Sequence, residues 1–241
     1  MKSKVLSEVI KKGVEILSED EARLVLAEYG IPCPKEVVIK YEEEKSAKDY
    51  LSEAKAKTGW PGYPAFFKVI SRDIKSKTDT GAIKRALSDE EAEVAIEQII
   101  RNAKRYKAGV RIEGILVSED CSSPEMREVF LGAIINELFG HVISLGFGGI
   151  YVEVYKDAQF RVVPITEADV HDMVRCLKSK EILGAFRGMR PINMKLLVDI
   201  MLKLSKMLEE NPEIIEMDVN PLLIGPERAV AVDTKMRVYI K

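Results

Sequence analysis

The sequence predicts an α+β protein and not a doubly wound α/β one. Two observations carry this. Segments with helical periodicity and β-rich segments do not alternate regularly; the β-rich ones cluster in the second half and at the end of the chain. The punctuation between segments is also sharp, with capping residues, Gly and Pro at the boundaries. "SEDEARLVLAEYG" opens with a capping box, Ser18 and Glu21, and closes at Gly30. After the "IPCP" break, "EVVIK" (36–40) reads as a short strand, and "SAKDYLSEAKAKTG" as a polar-faced helix. "YPAFFKVI" reads as a buried strand, and "GAIKRAL" as an alternating one. "SDEEAEVAIEQIIRNAKRYK" is a long helix with a second capping box, Ser88 and Glu91. "VRIEGILVSED", "REVFLGAIIN" and "HVISLGFGGIYVEV" are β-rich around turn signals. "TEADVHDMVRCL" is a helix capped by Thr166. "NMKLLVDIMLKLSKML" carries Met194, Leu197, Met201, Leu204 and Leu208 at helical spacing, a core-facing stripe. Two strands, "IIEMDVNPLLI" and "AVAVDTKMRVYI", flank the turn "GPE".

Composition narrows the function classes. The 241 residues fit one large domain or two small lobes, and 46% hydrophobic content supplies a sizeable core. A net charge of -2 argues against a general nucleic-acid or membrane-surface binder, so any anion site must be a local concentration of charge. Cys33, Cys121 and Cys176 are far apart and odd in number, which indicates a reducing compartment and neither a disulfide framework nor a zinc site. The first residues interrupt their apolar pattern with Lys and Glu, unlike a signal peptide. No apolar run approaches the ~20 residues that span a bilayer. A soluble, cytoplasmic protein with no membrane partner is expected.

Lys68 stands inside the apolar strand "FFKVI" and leads into a loop with Arg72, Lys75 and Lys77. Such a lysine either snorkels to water or holds an anion such as phosphate. In "EMDVNPLLIGPERAVAVD", a hairpin across "GPE" would bring Asn220 and Asp233 to one locus. Amide oxygen plus carboxylate suits Mg²⁺, although a turn Asn and a capped Asp fit the pattern equally well. Ser118, Glu119 and Asp120 end an apolar strand, where exposed backbone groups can read an adenine edge or simply close the strand. Walker A is absent, and "GFGG" (146–149) reads as a tight turn. His141 and His171 read as turn and surface histidines.

Together, "EARLVLAEYGIPCP", "GYPAFFKVISRDIKSKTDTGA", "GILVSED", "REVFLGA", "LGFGGIYVEVYKDAQFRVVPIT" and "EMDVNPLLI" followed by "AVAVD" resemble the ATP-grasp fold. More closely, they resemble the beta subunit of ADP-forming acyl-CoA synthetases (acetate–CoA ligases), relatives of the succinyl-CoA synthetase beta subunit. The resemblance implies a single ATP-grasp module over 1–241, with lobes near 20–115 and 116–241 and the nucleotide between them. It also implies the reaction acyl-CoA + ADP + phosphate ⇌ acid + ATP + CoA. A separate CoA-binding alpha subunit would carry a phosphohistidine, and the beta subunit would exchange its phosphoryl group with ADP in a hetero-oligomer.

The resemblance assigns residues as well. Lys68 matches the phosphate-contacting lysine, and Gly81 part of the small-residue loop over the phosphates. Ser118, Glu119 and Asp120 match the adenine hinge, and Glu128 an acidic residue near ribose and phosphates. Asn220 and Asp233 match the magnesium ligands. Glu153 and Arg161 fall in a segment facing the transfer path. Positioning and charge neutralisation are what phosphoryl transfer needs from a protein. One departure stands out. Where the family carries a histidine in "HK[ST]D", this chain has Ser76 followed by Lys77, and the usual Gly-Gly is Gly81-Ala82. Serine cannot form a phosphoramidate. Three readings follow: the partner's phosphohistidine acts directly, Lys75 and Lys77 steer the phosphate, or the chain is a non-catalytic nucleotide-binding regulatory subunit. A carboxylate-activating ATP-grasp ligase working alone is the remaining reading, with little room here for an acceptor site.

Overall fold

The structure is a computed structural model that describes residues 2–74, 76–148 and 157–240. The chain divides into two compact units, Pro34–Asp120 and the discontinuous pair Met1–Cys33 with Cys121–Lys241.

The Pro34–Asp120 unit is an antiparallel sheet backed by two helices. Strands β1 (Glu36–Lys40), β2 (Ala65–Ile70), β3 (Ile83–Ala86) and β4 (Gly114–Glu119) take the order β1-β4-β2-β3. Helices α3 (Ala47–Ala56) and α4 (Asp89–Tyr106) cover one face. Strand alternation decides which side chains go there: Val37, Ile39, Phe67, Val69, Ile115 and Val117 pack on Tyr50 and Leu51 of α3 and on Ile96 and Ile99 of α4. Each such side chain contributes roughly 1.5–3 kcal/mol by burial. The intervening residues, Phe66, Lys68, Leu116 and Ser118, point to the opposite face. The start of α4 is fixed by Ser88 Oγ, which accepts from the Glu91 N–H at 3.3 Å, while the Glu91 carboxylate accepts from the Leu87 N–H at 2.9 Å.

The other unit is built on β5 (Arg127–Asn136), β6 (Gly140–Phe147), β7 (Ala158–Val162), β8 (Ile214–Ile224), β9 (Ala229–Ala231) and β10 (Thr234–Val238). Their order is β10-β8-β5-β6-β7, with β9 also paired to β8, and every pairing is antiparallel. One face buries Leu131, Ala133, Ile143, Leu145, Met217 and Val219 in a core shared with four helices. These are α1 (Lys4–Lys11), α2 (Glu19–Glu28), α5 (Glu167–Cys176) and α6 (Met194–Glu210). The predicted stripe of α6 is buried at Leu197, Met201, Leu204 and Leu208. Two short elements, α1 and β7, are additions to the sequence reading.

These boundaries differ from 20–115 and 116–241. Ala22, Val25 and Leu26 of α2 lie in the same core as Leu131 and Met236, so α2 goes with the C-terminal sheet. Strand β4 pairs with both β1 and β2, so its end at Glu119 stays with the smaller unit. No helix among the described residues is long and apolar enough to cross a membrane.

Candidate functional site

In the smaller unit, Lys68 is buried at 4% exposure on the sheet face that the helices do not cover. Its register partners are Leu116 and Ile83, and Ser118 pairs with Phe66 on the next rung of that face. Diagonal neighbours of this kind lie about 7–8 Å apart, so Lys68 and Ser118 share one patch. The Ser118 hydroxyl is buried without a hydrogen-bond partner, a position where a ligand's polar group has most to gain. The other hinge residues differ from expectation in one respect. Their N–H groups are already used: Glu119 donates to the Lys35 carbonyl at 2.9 Å and Asp120 to that of Pro64 at 3.2 Å. The Asp120 carboxylate holds Arg85 at 2.6 Å, and a Glu119 carboxylate oxygen accepts from the Lys35 N–H at 3.3 Å.

The loop after β2 is ordered by its own hydrogen bonds. Ser76 Oγ accepts from the Asp79 N–H at 3.3 Å, the Ser76 carbonyl from the Thr80 hydroxyl at 2.8 Å, and the Lys77 carbonyl from the Ala82 N–H at 2.8 Å. Ser76 thus caps a turn. Its basic neighbours are partly balanced: Arg72 pairs with Glu113, and Lys107 with Asp73 at 2.9 Å. The Arg111 N–H and then Lys107 hold the Asp73 carboxyl below the usual carboxylate range. Gly81 has φ +64, and a Cβ there would meet Asn102 Nδ2 at 2.7 Å. Asn102 Nδ2 donates to the Gly81 carbonyl at 2.9 Å. Gly81→Ala is therefore expected to destabilise the protein by roughly 1–3 kcal/mol, read as a lower urea midpoint at unchanged slope.

In the larger unit, the predicted hairpin forms as β8–β9. The sheet is irregular at one place, and the expected metal ligands sit there. Val129 pairs with Leu222 but Leu131 with Val219, so Phe130 alone opposes Asn220 and Pro221. This is a bulge in β8, a device that re-aims a side chain and accommodates a proline within a strand. Opposite it, Val232 and Asp233 interrupt β9 and β10. The ladder crosses the break through Asn220 N–H to the Asp233 carbonyl at 2.9 Å and Val232 N–H to the Pro221 carbonyl at 3.1 Å. Both Asn220 and Asp233 are half-buried.

Gly148 belongs to the same locus. Its N–H donates to the Glu128 carbonyl at 2.9 Å. A Cβ on it would come within 3.1 Å of Asn220 Oδ1 and of the Glu128 backbone. Glycine there leaves room for the Asn220 amide. Glu128 is exposed, on the face of β5 opposite the core residue Val129. Buried Arg127 anchors that strand start by donating to the carbonyls of Glu125, Ile182, Gly184 and Arg190. Asp218, two residues before Asn220 on the same strand face, escaped the sequence reading, although the alternation of "EMDVN" places it there. Burial pushes the Asp218 carboxyl up; Lys235 opposes this, and Glu216 and Asp233 add to it.

Arg161, His141 and His171 do not join this locus. Arg161 ion-pairs with Asp172 and, at 3.9 Å, with Asp169 of α5. It pairs with the core residue Ile143, which puts it on the helix-covered face of the sheet. Glu153 lies outside the described residues. His141 Nε2 is 2.6 Å from the Ile214 carbonyl, and His171 lies 3.6 Å from Glu167 on an exposed helix face.

Among the described residues, no group of three or more His, Cys, Asp and Glu forms a metal cluster. The Asn220–Asp233 pair fits a magnesium ion that takes most of its oxygen ligands from water and phosphate. Two units of this α+β build, each an antiparallel sheet backed by helices, belong to an ATP-grasp protein. The ATP-grasp domain family matches residues 8–238, and the chain belongs to that family, among the relatives of ADP-forming acetate–CoA ligase beta subunits. It is 38% identical over 236 residues to the beta subunit of ADP-forming acetate–CoA ligase I of Pyrococcus furiosus, covering 98% of this chain and 97% of that one. The structure of acetyl-coenzyme A synthetase 1 from Ca. Korarchaeum cryptofilum, in complex with coenzyme A and Ca-AMPCP, matches with a TM-score of 0.86. That match has 33% identity over 98% of each chain. A second structure of that enzyme holds coenzyme A and Mg-AMPPCP, with its phosphohistidine segment pointing towards the nucleotide binding site. It matches with a TM-score of 0.79 and 28% identity over 98% of each chain.

Proposed function

We propose that this chain is the nucleotide-binding beta subunit of a cytoplasmic ADP-forming acyl-CoA synthetase. It exchanges a phosphoryl group between ADP and a phosphohistidine on a separate CoA-binding subunit. The observation that carries this is the match to a beta subunit over 97% of that subunit's length. The terminal oxygen of ADP forms a P–O bond as the P–N bond of phosphohistidine breaks, and the released imidazole takes up a proton. Lys68 holds phosphate oxygens as a fixed positive charge, and Ser118 with Glu119 and Asp120 receives the nucleoside end. Asn220 and Asp233 would hold magnesium, which when bound would supply charge neutralisation on the phosphates. Glu128 lies beside Gly148 and Asn220 and orients ribose or phosphate. Glu153, Arg161, Lys77 and Gly81 are assigned by resemblance only.

The test is to mix the chain with phosphorylated CoA-binding subunit and Mg-ADP and to follow ATP. ATP formation is expected; none from an assembled complex overturns the reading. Ser76→His is expected to change the rate by less than about threefold, below ~0.7 kcal/mol, because the transfer is direct and Ser76 serves as a turn cap. Ser76 also favours the second reading, a regulatory subunit without chemistry. That reading is identified by wild type that binds Mg-ADP but forms no ATP.

A further inference from the structure

On the helix-covered side of the smaller unit, a cleft of about 560 Å³ opens between α4 and the segment that joins β1 to α3. Its floor is apolar. Ile96 is buried in the core beneath α4, and Ile100 and Tyr41 are half-buried against that core. Stacking on Tyr50, with ring centroids 6.3 Å apart and planes within 8°, holds the Tyr41 ring. Its wall is basic: Arg101, Lys104 and Arg105 of α4 line it and are exposed. Lys104 pairs with Glu43 at 3.1 Å, and its Nζ lies 5.7 Å from the centre of the Tyr41 ring. Lys45, also on the rim, is taken up by Glu42 and Glu53. Arg101 and Arg105 make no ion pair among the described residues, although Glu97 lines the cleft one turn before Arg101. Like charges one turn apart on a helix repel. The helix dipole favours Arg105, in the last turn, but gives no such support to Arg101. An apolar floor with a few charged groups at its rim, at this volume, is the make-up of a small-ligand pocket.

We propose that this cleft binds a small organic phosphate, at a site separate from the patch around Lys68 and Ser118. Those two residues are on the sheet face that the helices leave open, and the cleft is on the other side. Tyr41, Ile96 and Ile100 receive the apolar or aromatic body of the ligand. Arg101 and Arg105 take its phosphate oxygens, which planar guanidinium forks match in geometry. Two guanidinia with no carboxylate on either suit a dianion better than a single carboxylate. A phosphate between them also removes the repulsion that the empty cleft leaves on α4.

The experiment titrates three proteins by calorimetry with phenyl phosphate and with inorganic phosphate. They are wild type, the double variant Arg101→Gln with Arg105→Gln, and Lys68→Ala. Glutamine keeps the helix propensity of arginine, so the double variant should melt like wild type. Phenyl phosphate is expected to bind wild type and Lys68→Ala alike, and the double variant roughly 10- to 100-fold more weakly. Inorganic phosphate, which has no body to bury, is expected to bind wild type at least ~10-fold more weakly than phenyl phosphate. Binding that is lost in Lys68→Ala and kept in the double variant assigns the anion to the open face and overturns the cleft. Absence of phenyl phosphate binding to wild type overturns it too, as does equal affinity for inorganic phosphate. ATP formation by wild type tests the proposed function and is independent of these results.

Discussion

Asp233→Ala is expected to reduce ATP formation from phosphorylated partner and Mg-ADP by roughly 10²- to 10⁴-fold. The estimate follows from the several kcal/mol of charge stabilisation that a bound metal supplies in phosphoryl transfer, at 1.36 kcal/mol per decade. The carboxylate is the one full negative charge in the proposed Asn220–Asp233 pair, so its removal would leave that pair only a neutral amide oxygen to offer a metal. The fold should survive. The Asp233 carbonyl accepts from the Asn220 N–H at 2.9 Å, a link to β8 that truncation of the side chain leaves in place. A stability change below about 1 kcal/mol is expected for such a half-buried position.

The informative measurement is the metal dependence. Calorimetric titration of ADP with and without magnesium should show a large difference for wild type and nearly none for Asp233→Ala. Asp233→Asn, which keeps an oxygen and loses the charge, should fall between them and recover rate at high magnesium. Lys68→Ala should behave differently. It should weaken ADP whether or not magnesium is present, because the role proposed for its ammonium is on phosphate and not on metal. If Asp233→Ala retains the wild-type magnesium response, the pair is a structural feature of the bulge.

Much of this was legible in the chain itself. Strand alternation in "FFKVI" told that Lys68 opposes Phe67 and Val69, and the structure puts those two under the helices and Lys68 on the open face. "VNP" and "AVAVD" across "GPE" told of a hairpin joining Asn220 to Asp233. The bulge was not legible, because it depends on Phe130 of β5, some ninety residues upstream, opposing two residues at once. The anchoring of the Ser76 turn was hidden for another reason: its partners, the Asp79 N–H and the Thr80 hydroxyl, are close in sequence but meet Ser76 only once the turn has formed. The division into units was misplaced at both ends for a packing reason. A helix such as α2 shows its apolar stripe in sequence but not the sheet that receives it. Arg23 is the sharpest case. Glu19 and Arg23 look like an ordinary surface pair at i,i+4 spacing, and only the fold reveals that both are buried.

Arg23→Ala is expected to be the most destabilising single change, at about 3–5 kcal/mol. The side chains of Arg23 and Glu19 are 1% and 4% exposed, and Nη2 lies 2.8 Å from Oε1. Removing the guanidinium takes from the buried Glu19 carboxylate its partner at 2.8 Å, and breaking a buried ion pair from one side is costly in a low-dielectric interior. In a chain of this length the loss should lower the melting temperature by roughly 6–20 °C. Replacing both partners, as Glu19→Leu with Arg23→Met, should restore stability close to wild type, because the pair's desolvation largely offsets its attraction. Arg23 has a second contact that the double variant cannot restore: Nη1 donates to the Val232 carbonyl at 2.9 Å, one residue before Asp233. The double variant should therefore regain most of its stability, short of wild type by the ~1.5 kcal/mol of one charged hydrogen bond, and bind Mg-ADP more weakly. If stability and Mg-ADP affinity recover together, Arg23 serves the core alone; if stability alone recovers, it is a positioning residue for the strand break that presents Asp233.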